Sequence, residues 1–176
     1  MKRAIALFTI LSVAFASVTF AHGPTRKKVI VNKEVAAPPE KVWAIVQDFH
    51  DMSWLPVVER TEGDGGNEPG ATRTLILVGG AEVVEKLEKY DAEGRSYFYR
   101  ITDVDVKVLP VTNYSAWINV KPADGGSVVS WKGAFYRGYP NNDPPPELSD
   151  QAAVDAVTGL YEAGLDSVKQ RAEAAE

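Results

Sequence analysis

The chain has no cysteine among its 176 residues, and it has only two histidines, His22 and His50. Without cysteine there can be no disulfide and no thiol chemistry, which excludes the small disulfide-stapled secreted scaffolds and thiol-based catalysis. The sequence also contains neither a His-Glu-x-x-His motif nor an EF-hand loop. It therefore predicts no metal site and no cofactor.

An excess of basic charge is also missing. The chain carries 19 Lys and Arg against 24 Asp and Glu, for a formal net charge of −5. Its only basic cluster is Arg26-Lys27-Lys28, whereas binding to nucleic acid depends on many phosphate contacts from basic side chains. We expect no nucleic-acid partner, and we expect the partners to be neutral or basic surfaces.

Only one long apolar run is present, and it lies at the N-terminus. Lys2 and Arg3 precede the uncharged run AIALFTILSVAFASVTF, and Ala21 offers a small residue for cleavage. This pattern is typical of a secretory signal peptide, although an uncleaved membrane anchor is the alternative. No later run is long enough to span a bilayer, so we expect no membrane attachment after cleavage.

Three regions follow from this interpretation. Residues 1–21 form a cleaved signal peptide, 22–27 form an N-terminal tail, and 28–176 form one domain of ordinary size. A free N-terminal His22 would pair an amine with an imidazole, but no second histidine lies nearby to complete a copper site. An exported chain without cysteine suits a bacterial periplasm, which is the predicted location.

The order of elements predicts an α+β fold. A valine-rich strand is predicted over 28–37 and ends at Pro38-Pro39. A short helix begins at these prolines, has apolar residues at helical spacing and ends around 48–51. Some six strands follow in hairpins, and a final helix is capped by Ser149 or Asp150. Consecutive hairpins imply an antiparallel sheet with its helices on one side.

Glu85 is the most interesting charged position in these strands. If Gly79-Gly80 form a two-residue turn, Thr74 faces Glu85 on a face that also carries apolar side chains. A carboxylate there would be an acid or an anchor in a ligand cavity. The alternatives are that this face points to water or that the threonine hydroxyl satisfies Glu85, because one extra loop residue would invert the face.

Aromatic residues are concentrated on the last strands. Trp131, Gly133 and Phe135 alternate on one face, Tyr114 begins a similar face on the strand before, and Gly133 leaves space for a helix or a ligand. Such a face is either ordinary core or the wall of a pocket. The candidate cavity residues are Trp54, Glu85, Tyr99, Tyr114, Trp131, Gly133 and Phe135.

Several blocks, taken in order, resemble a known superfamily. These blocks are AAPPEKVWAIVQDFHDMSWLP, PGATRTLIL, VVEKLEKYD, YFYRIT and LPVTNY, and they are similar to the polyketide cyclase/START-like, or Bet v 1-like (SRPBCC), proteins. The resemblance implies a helix-grip fold, in which an antiparallel sheet of about six to seven strands wraps around a long C-terminal helix with a cavity between them. It also places Trp54, Leu55 and Pro56 at the mouth of that cavity, where Trp54 caps the core, contacts a ligand or contacts a partner.

The signal peptide, AHGPTRKKV and LPVTNY further resemble MxaD-type proteins, which are periplasmic accessories of bacterial methanol oxidation. This resemblance implies a non-catalytic protein that aids contact between methanol dehydrogenase and its cytochrome c acceptor. The proline-rich, acidic stretch 139–150 is then either a solvated connection or a candidate docking surface, with Asp143, Glu147 and Asp150 as its charged residues.

Two other functions stay open. The chain could be a carrier or binder of a small apolar ligand in the helix-grip cavity, or a cyclase/dehydrase-like enzyme with Glu85 or His50 as its base. The sequence has no Gly-x-Ser-x-Gly elbow, and His50 with its neighbour Asp51 fits a solvated loop better than a catalytic pair. We therefore expect that the protein is not an enzyme.

Overall fold

The computed structural model describes residues 23–174. The predicted signal peptide and His22 lie outside these residues. Over the described part of the chain, no helix combines the length and the apolar character needed to cross a membrane.

Within residues 23–174, seven antiparallel strands form a single sheet in the order β1-β7-β6-β5-β4-β3-β2, and two α-helices accompany it. The expected α+β helix-grip fold, with six to seven strands and a long C-terminal helix, is confirmed. The strands are β1 (Lys27–Val35), β2 (Val58–Asp64), β3 (Thr72–Leu77), β4 (Glu82–Asp91), β5 (Ser96–Val104), β6 (Val111–Ala123) and β7 (Gly126–Arg137). The helices are α1 (Pro39–Val46) and α2 (Asp150–Glu173), and a 3-10 turn spans Pro146–Leu148.

The sheet curls around α2, which packs against β1, β7 and α1. Alternation along β6 and β7 turns one face of each strand inward, as the sequence pattern indicated. Ser149 caps α2, since its Oγ accepts a hydrogen bond of 3.2 Å from the amide of Ala152. Val157, Tyr161 and Leu165 are fully buried on the helix face that meets the sheet, so burial of this face holds the two layers together.

The hairpin between β3 and β4 differs from the prediction. The amide of Leu77 donates to the carbonyl of Ala81, so three residues, 78–80, form the loop where a two-residue turn was expected. The extra residue shifts the register by one position, and Thr74 does not lie opposite Glu85. A one-residue shift exchanges the two faces of a strand, which brings a different side chain to Glu85.

Gly133 on β7 makes room for α2 rather than for a ligand. A Cβ built at this position would lie 2.0 Å from the hydroxyl oxygen of Tyr161. The ring of Tyr161 stacks on Trp131 with 4.3 Å between ring centroids, so it cannot move aside easily. The absence of a side chain at Gly133 therefore permits this close contact between helix and sheet.

We predict that Gly133→Ala lowers the free energy of unfolding by about 1–3 kcal/mol, because the added methyl overpacks this contact. Gly159→Ala is the matched control, since a Cβ there meets no atom within 4 Å and alanine favours a helix by up to about 1 kcal/mol. Urea unfolding followed by tryptophan fluorescence measures both. A loss of stability of the same size in the two variants would contradict the steric explanation.

Candidate functional site

A cavity of about 340 Å³ lies between strands β3–β7 and the N-terminal half of α2. Its volume falls within the range of small-molecule sites. Most of the side chains around it are aliphatic or aromatic, and the strands, the helix and two connecting segments all contribute. They are Met52, Leu55, Pro56, Val57, Leu75, Leu77, Val83, Glu85, Tyr99, Ile101, Val108, Leu109, Tyr114, Trp131, Ala156, Gly159, Leu160 and Ala163.

The mouth of the cavity is formed by its exposed lining residues. Pro56 and Val57 lie on one side, Gly159 and Ala163 of α2 on another, and Val108 lies 39% exposed on a third. Solvent thus has access between α2 and the segment that follows α1. The expectation that Pro56 lies at the mouth agrees with this arrangement.

Trp54 lies in the core rather than at the mouth. It is 0% exposed, and its ring meets the ring of Trp131 edge-on with 5.3 Å between centroids. Trp54 is not one of the lining residues, whereas its neighbour Leu55 is. The short turns after α1 point the indole inward, where burial of the large ring outweighs an Nε1 that finds no hydrogen-bond partner within residues 23–174.

The other candidate cavity residues divide into two groups. Glu85, Tyr99, Tyr114 and Trp131 line the cavity. Gly133 lies under Tyr161, and Phe135 is fully buried behind Tyr114, with their rings stacked at 6.1 Å between centroids. These two residues support the cavity wall and do not form its surface.

Arg73 lies opposite Glu85 in the β3–β4 register, a partner that a two-residue turn does not predict. Its Nε donates to Glu85 Oε2 at 2.6 Å, and its Nη2 lies 2.6 Å from the same oxygen without hydrogen-bond geometry. Its Nη1 donates to the carbonyl of Phe49, and its guanidinium lies over the Phe49 ring, 4.1 Å from the centroid. A three-residue loop between β3 and β4 places Arg73 opposite Glu85, so an expected loop of that length would have predicted this cross-strand charge pair.

Both charges of this pair are enclosed, with side-chain exposures of 0% for Arg73 and 5% for Glu85. Burial raises the pKa of the Glu85 carboxyl, and Arg73 opposes that rise. Burial also acts to lower the pKa of Arg73, but Glu85, Tyr97 and Tyr99 bring it above its ordinary value. Arg73 therefore stays charged, and the pair is stable only while both partners are present.

A chain of hydroxyl groups runs beside the pair. The indole Nε1 of Trp131 donates to Tyr99 Oη at 3.0 Å, Tyr99 Oη lies 3.3 Å from Tyr114 Oη, and Tyr114 Oη lies 2.5 Å from Tyr161 Oη. Burial raises the pKa of each of the three phenols. All three stay protonated at neutral pH, so they act as neutral hydrogen-bonding groups.

His50 lies apart from these groups. Its Nε2 lies 3.0 Å from the carbonyl oxygen of Thr72, and the residue does not line the cavity. Glu85 and His50, the two proposed bases, are thus not brought together at one site. Within residues 23–174 there is also no cluster of three or more His, Cys, Asp or Glu suited to hold a metal ion.

The candidate docking residues differ in their surroundings. Asp143 and Glu147 are exposed in the connection before α2. Asp150 is only partly exposed and forms ion pairs with Lys27 at 3.0 Å and Arg137 at 3.6 Å. Asp150 thus contributes to contacts within the fold, and the exposed acidic surface comprises Asp143 and Glu147.

The chain is similar to known proteins in both sequence and fold. The family described as "Polyketide cyclase / dehydrase and lipid transport" matches residues 26–173. "MLP-like protein 423" of Arabidopsis thaliana is 30% identical over 132 residues, which cover 69% of this chain and 84% of that protein.

Solved structures show the same architecture. The protein XoxI from Bacillus cereus is 28% identical with a TM-score of 0.68, and the match covers 84% of this chain and 94% of that one. Truncated norcoclaurine synthase from Thalictrum flavum is 22% identical with a TM-score of 0.66, over 88% and 98% of the two chains. The latter similarity establishes a shared fold only.

We predict that Arg73→Leu lowers the free energy of unfolding by about 3–5 kcal/mol at pH 8, because it leaves the Glu85 carboxylate buried without a partner. The loss should be smaller at pH 5. Burial raises the pKa of Glu85, so more of this carboxyl keeps its proton at the lower pH. The penalty for an unpaired buried charge grows as pH rises through that pKa. Urea unfolding at the two pH values measures the effect.

Two variants serve as controls for this experiment. Arg73→Met combined with Glu85→Leu removes both charges, so it should cost clearly less than Arg73→Leu even though the Phe49 carbonyl also loses its donor. Arg100→Leu breaks the half-exposed pair with Glu88, at 2.9 Å, and should cost less than about 1 kcal/mol. If Arg73→Leu cost no more than Arg100→Leu, the buried pair would not have the structural importance we assign to it.

Proposed function

The chain belongs to the polyketide cyclase/dehydrase and lipid transport family, and we propose that it binds or carries a small, mainly apolar ligand in the cavity under α2. The observation that carries this proposal is the cavity itself, about 340 Å³ of space with mostly apolar walls and a mouth at Pro56 and Gly159. Protein interiors are normally close-packed. A space of this size is therefore a feature that a ligand would use.

The walls also favour binding on energetic grounds. Water next to aliphatic and aromatic side chains such as Leu75, Val83 and Trp131 makes few hydrogen bonds, so an apolar ligand that displaces it gains free energy. The cavity is supported by paired strands and by α2, so little ordering is needed when the ligand binds. A largely preformed site reduces the entropic cost of binding.

We propose binding rather than catalysis. General acid–base catalysis needs a titratable group free to exchange a proton with the substrate near the working pH. Of the titratable residues that line the cavity, Glu85 is held by Arg73, and burial raises the pKa of the Tyr99 and Tyr114 phenols well above neutral pH. A cyclase/dehydrase-like enzyme is the alternative, and it would have to use Glu85 in spite of this contact.

We predict that Val83→Phe abolishes or weakens ligand binding by at least about tenfold, because the larger side chain fills the interior of the cavity. Val83 is buried and lines the cavity from β4. The neutral fluorescent probe N-phenyl-1-naphthylamine should bind the wild-type protein, with an increase in fluorescence that gives the dissociation constant.

Val84→Phe is the matched control, because Val84 is the next residue on the same strand and faces the opposite side of the sheet. It should bind the probe as the wild type does. The binding proposal would be contradicted if the wild type did not bind the probe, or if Val83→Phe and Val84→Phe bound it equally well.

We propose a second, narrower role on the basis of the exposed acidic residues Asp143 and Glu147. The resemblance to MxaD-type proteins suggests an exported, periplasmic accessory that aids contact between methanol dehydrogenase and its cytochrome c acceptor. An acidic surface favours encounter with a basic partner. Both roles can belong to one molecule, since the cavity and this surface are separate.

We predict that Asp143→Lys together with Glu147→Lys weakens association with purified methanol dehydrogenase or cytochrome c by about fivefold, because the reversal replaces attraction by repulsion. Asp64→Lys with Glu68→Lys reverses the same charge at the last residue of β2 and in the loop that follows, where both residues are exposed, and should have little effect. Surface plasmon resonance at low and high salt measures both. Absence of association, or an equal loss in both variants, would contradict the docking proposal.

A further inference from the structure

The deep end of the cavity carries polar groups whose hydrogen bonding is incomplete. The ligand chemistry inferred from these groups rests on the proposed binding function. Glu85 is 4% exposed and lines the cavity. Both contacts from Arg73 go to one oxygen, Oε2. The other oxygen, Oε1, has no hydrogen-bond partner among residues 23–174. A nearly buried carboxylate thus presents a free acceptor to the cavity.

Tyr99 is the second incomplete group. Its oxygen accepts a hydrogen bond from Trp131, and it is the cavity end of the chain that continues to Tyr114 and Tyr161. Three hydroxyl groups carry three protons, whereas the two contacts between them use only two. When Tyr161 donates to Tyr114 and Tyr114 donates to Tyr99, the hydroxyl proton of Tyr99 is not used in these contacts. It is then free to point into the cavity.

We propose that this end of the cavity binds the hydroxyl group of an otherwise apolar ligand, an alcohol or a phenol. The ligand hydroxyl donates to Glu85 Oε1 and accepts from Tyr99 Oη, so both incomplete groups are satisfied by one atom that can donate and accept. The apolar body of the ligand then lies along the aliphatic walls toward the mouth. Binding gives the Oε1 acceptor in the interior a hydrogen-bond donor. This gain favours a hydroxyl head group over others.

Other head groups fit less well. An ammonium group has no lone pair to accept from Tyr99, and it brings a second positive charge close to Arg73. A carboxylate meets the carboxylate of Glu85, because Arg73 lies behind Glu85 and does not itself line the cavity. An ether accepts from Tyr99 but leaves Glu85 Oε1 without a donor.

Isothermal titration calorimetry at pH 8 with three probes tests this proposal. The probes are 1-octanol, its isomer 1-methoxyheptane, which lacks the donor, and octanoate. We expect 1-octanol to bind the wild-type protein about tenfold more tightly than 1-methoxyheptane, as for a hydrogen bond to a charged acceptor. Octanoate should bind more weakly than 1-octanol.

A double variant locates the effect. Arg73→Met with Glu85→Leu removes the carboxylate without leaving a buried charge unpaired, so it should fold and bind 1-octanol and 1-methoxyheptane with similar affinity. The matched control, Arg100→Met with Glu88→Leu, removes a similar pair from the half-exposed side of β4 and β5. It should keep the preference for 1-octanol.

The outcomes separate the two proposals. If the wild type bound 1-octanol and 1-methoxyheptane equally well, or bound octanoate most tightly, the hydroxyl site would be overturned while binding in the cavity stood. If the double variant kept the full preference, Glu85 would not be the acceptor and the proposal would fail. If the wild type did not bind N-phenyl-1-naphthylamine, the cavity function would fail and the hydroxyl site would fail with it.

Discussion

The ion pair between Arg73 and Glu85 connects three parts of the molecule within its interior. It joins β3 to β4, and through the Phe49 carbonyl it also joins both strands to the segment that follows α1. Charges enclosed in this way are costly unless each is paired, so the three parts must keep a fixed arrangement. One side of the cavity therefore has a rigid wall, and the carboxylate that completes the pair also provides the polar end of the cavity.

The opposite wall depends on aromatic packing. Tyr161 of α2 stacks on Trp131 and reaches over Gly133, while Trp54 packs edge-on against the same indole. These contacts fix how closely the helix approaches β7. Farther along, small residues on α2 such as Ala156 and Gly159 leave the space between helix and sheet unfilled. Close packing at one place and small side chains at another together produce a cavity within a well-packed core.

The fold by itself says little about what the cavity holds. Norcoclaurine synthase from Thalictrum flavum and XoxI from Bacillus cereus have the same architecture as this chain. Their sequences are 22% and 28% identical to it. Function in such folds is determined by the side chains that reach the cavity. Here those side chains combine an apolar surface with a single paired carboxylate and two phenols. This combination is what supports the proposed binding of a mainly apolar ligand.

Much of the fold follows from local patterns in the sequence. Alternation along β6 and β7 indicated which side chains face inward, and Pro38-Pro39 and the pair Ser149 or Asp150 indicated where the helices begin. Periods of two and 3.6 residues are local properties of the chain. They decide the type and the buried face of an element without reference to its neighbours.

The partners across elements were decided only by the tertiary structure. A single residue in the β3–β4 loop placed Arg73 rather than Thr74 opposite Glu85, and the turns after α1 directed Trp54 into the core instead of the mouth. Register and turn direction depend on which arrangement buries the most apolar surface while every enclosed charge keeps a partner. That balance involves residues far apart in the chain, so no local pattern determines it.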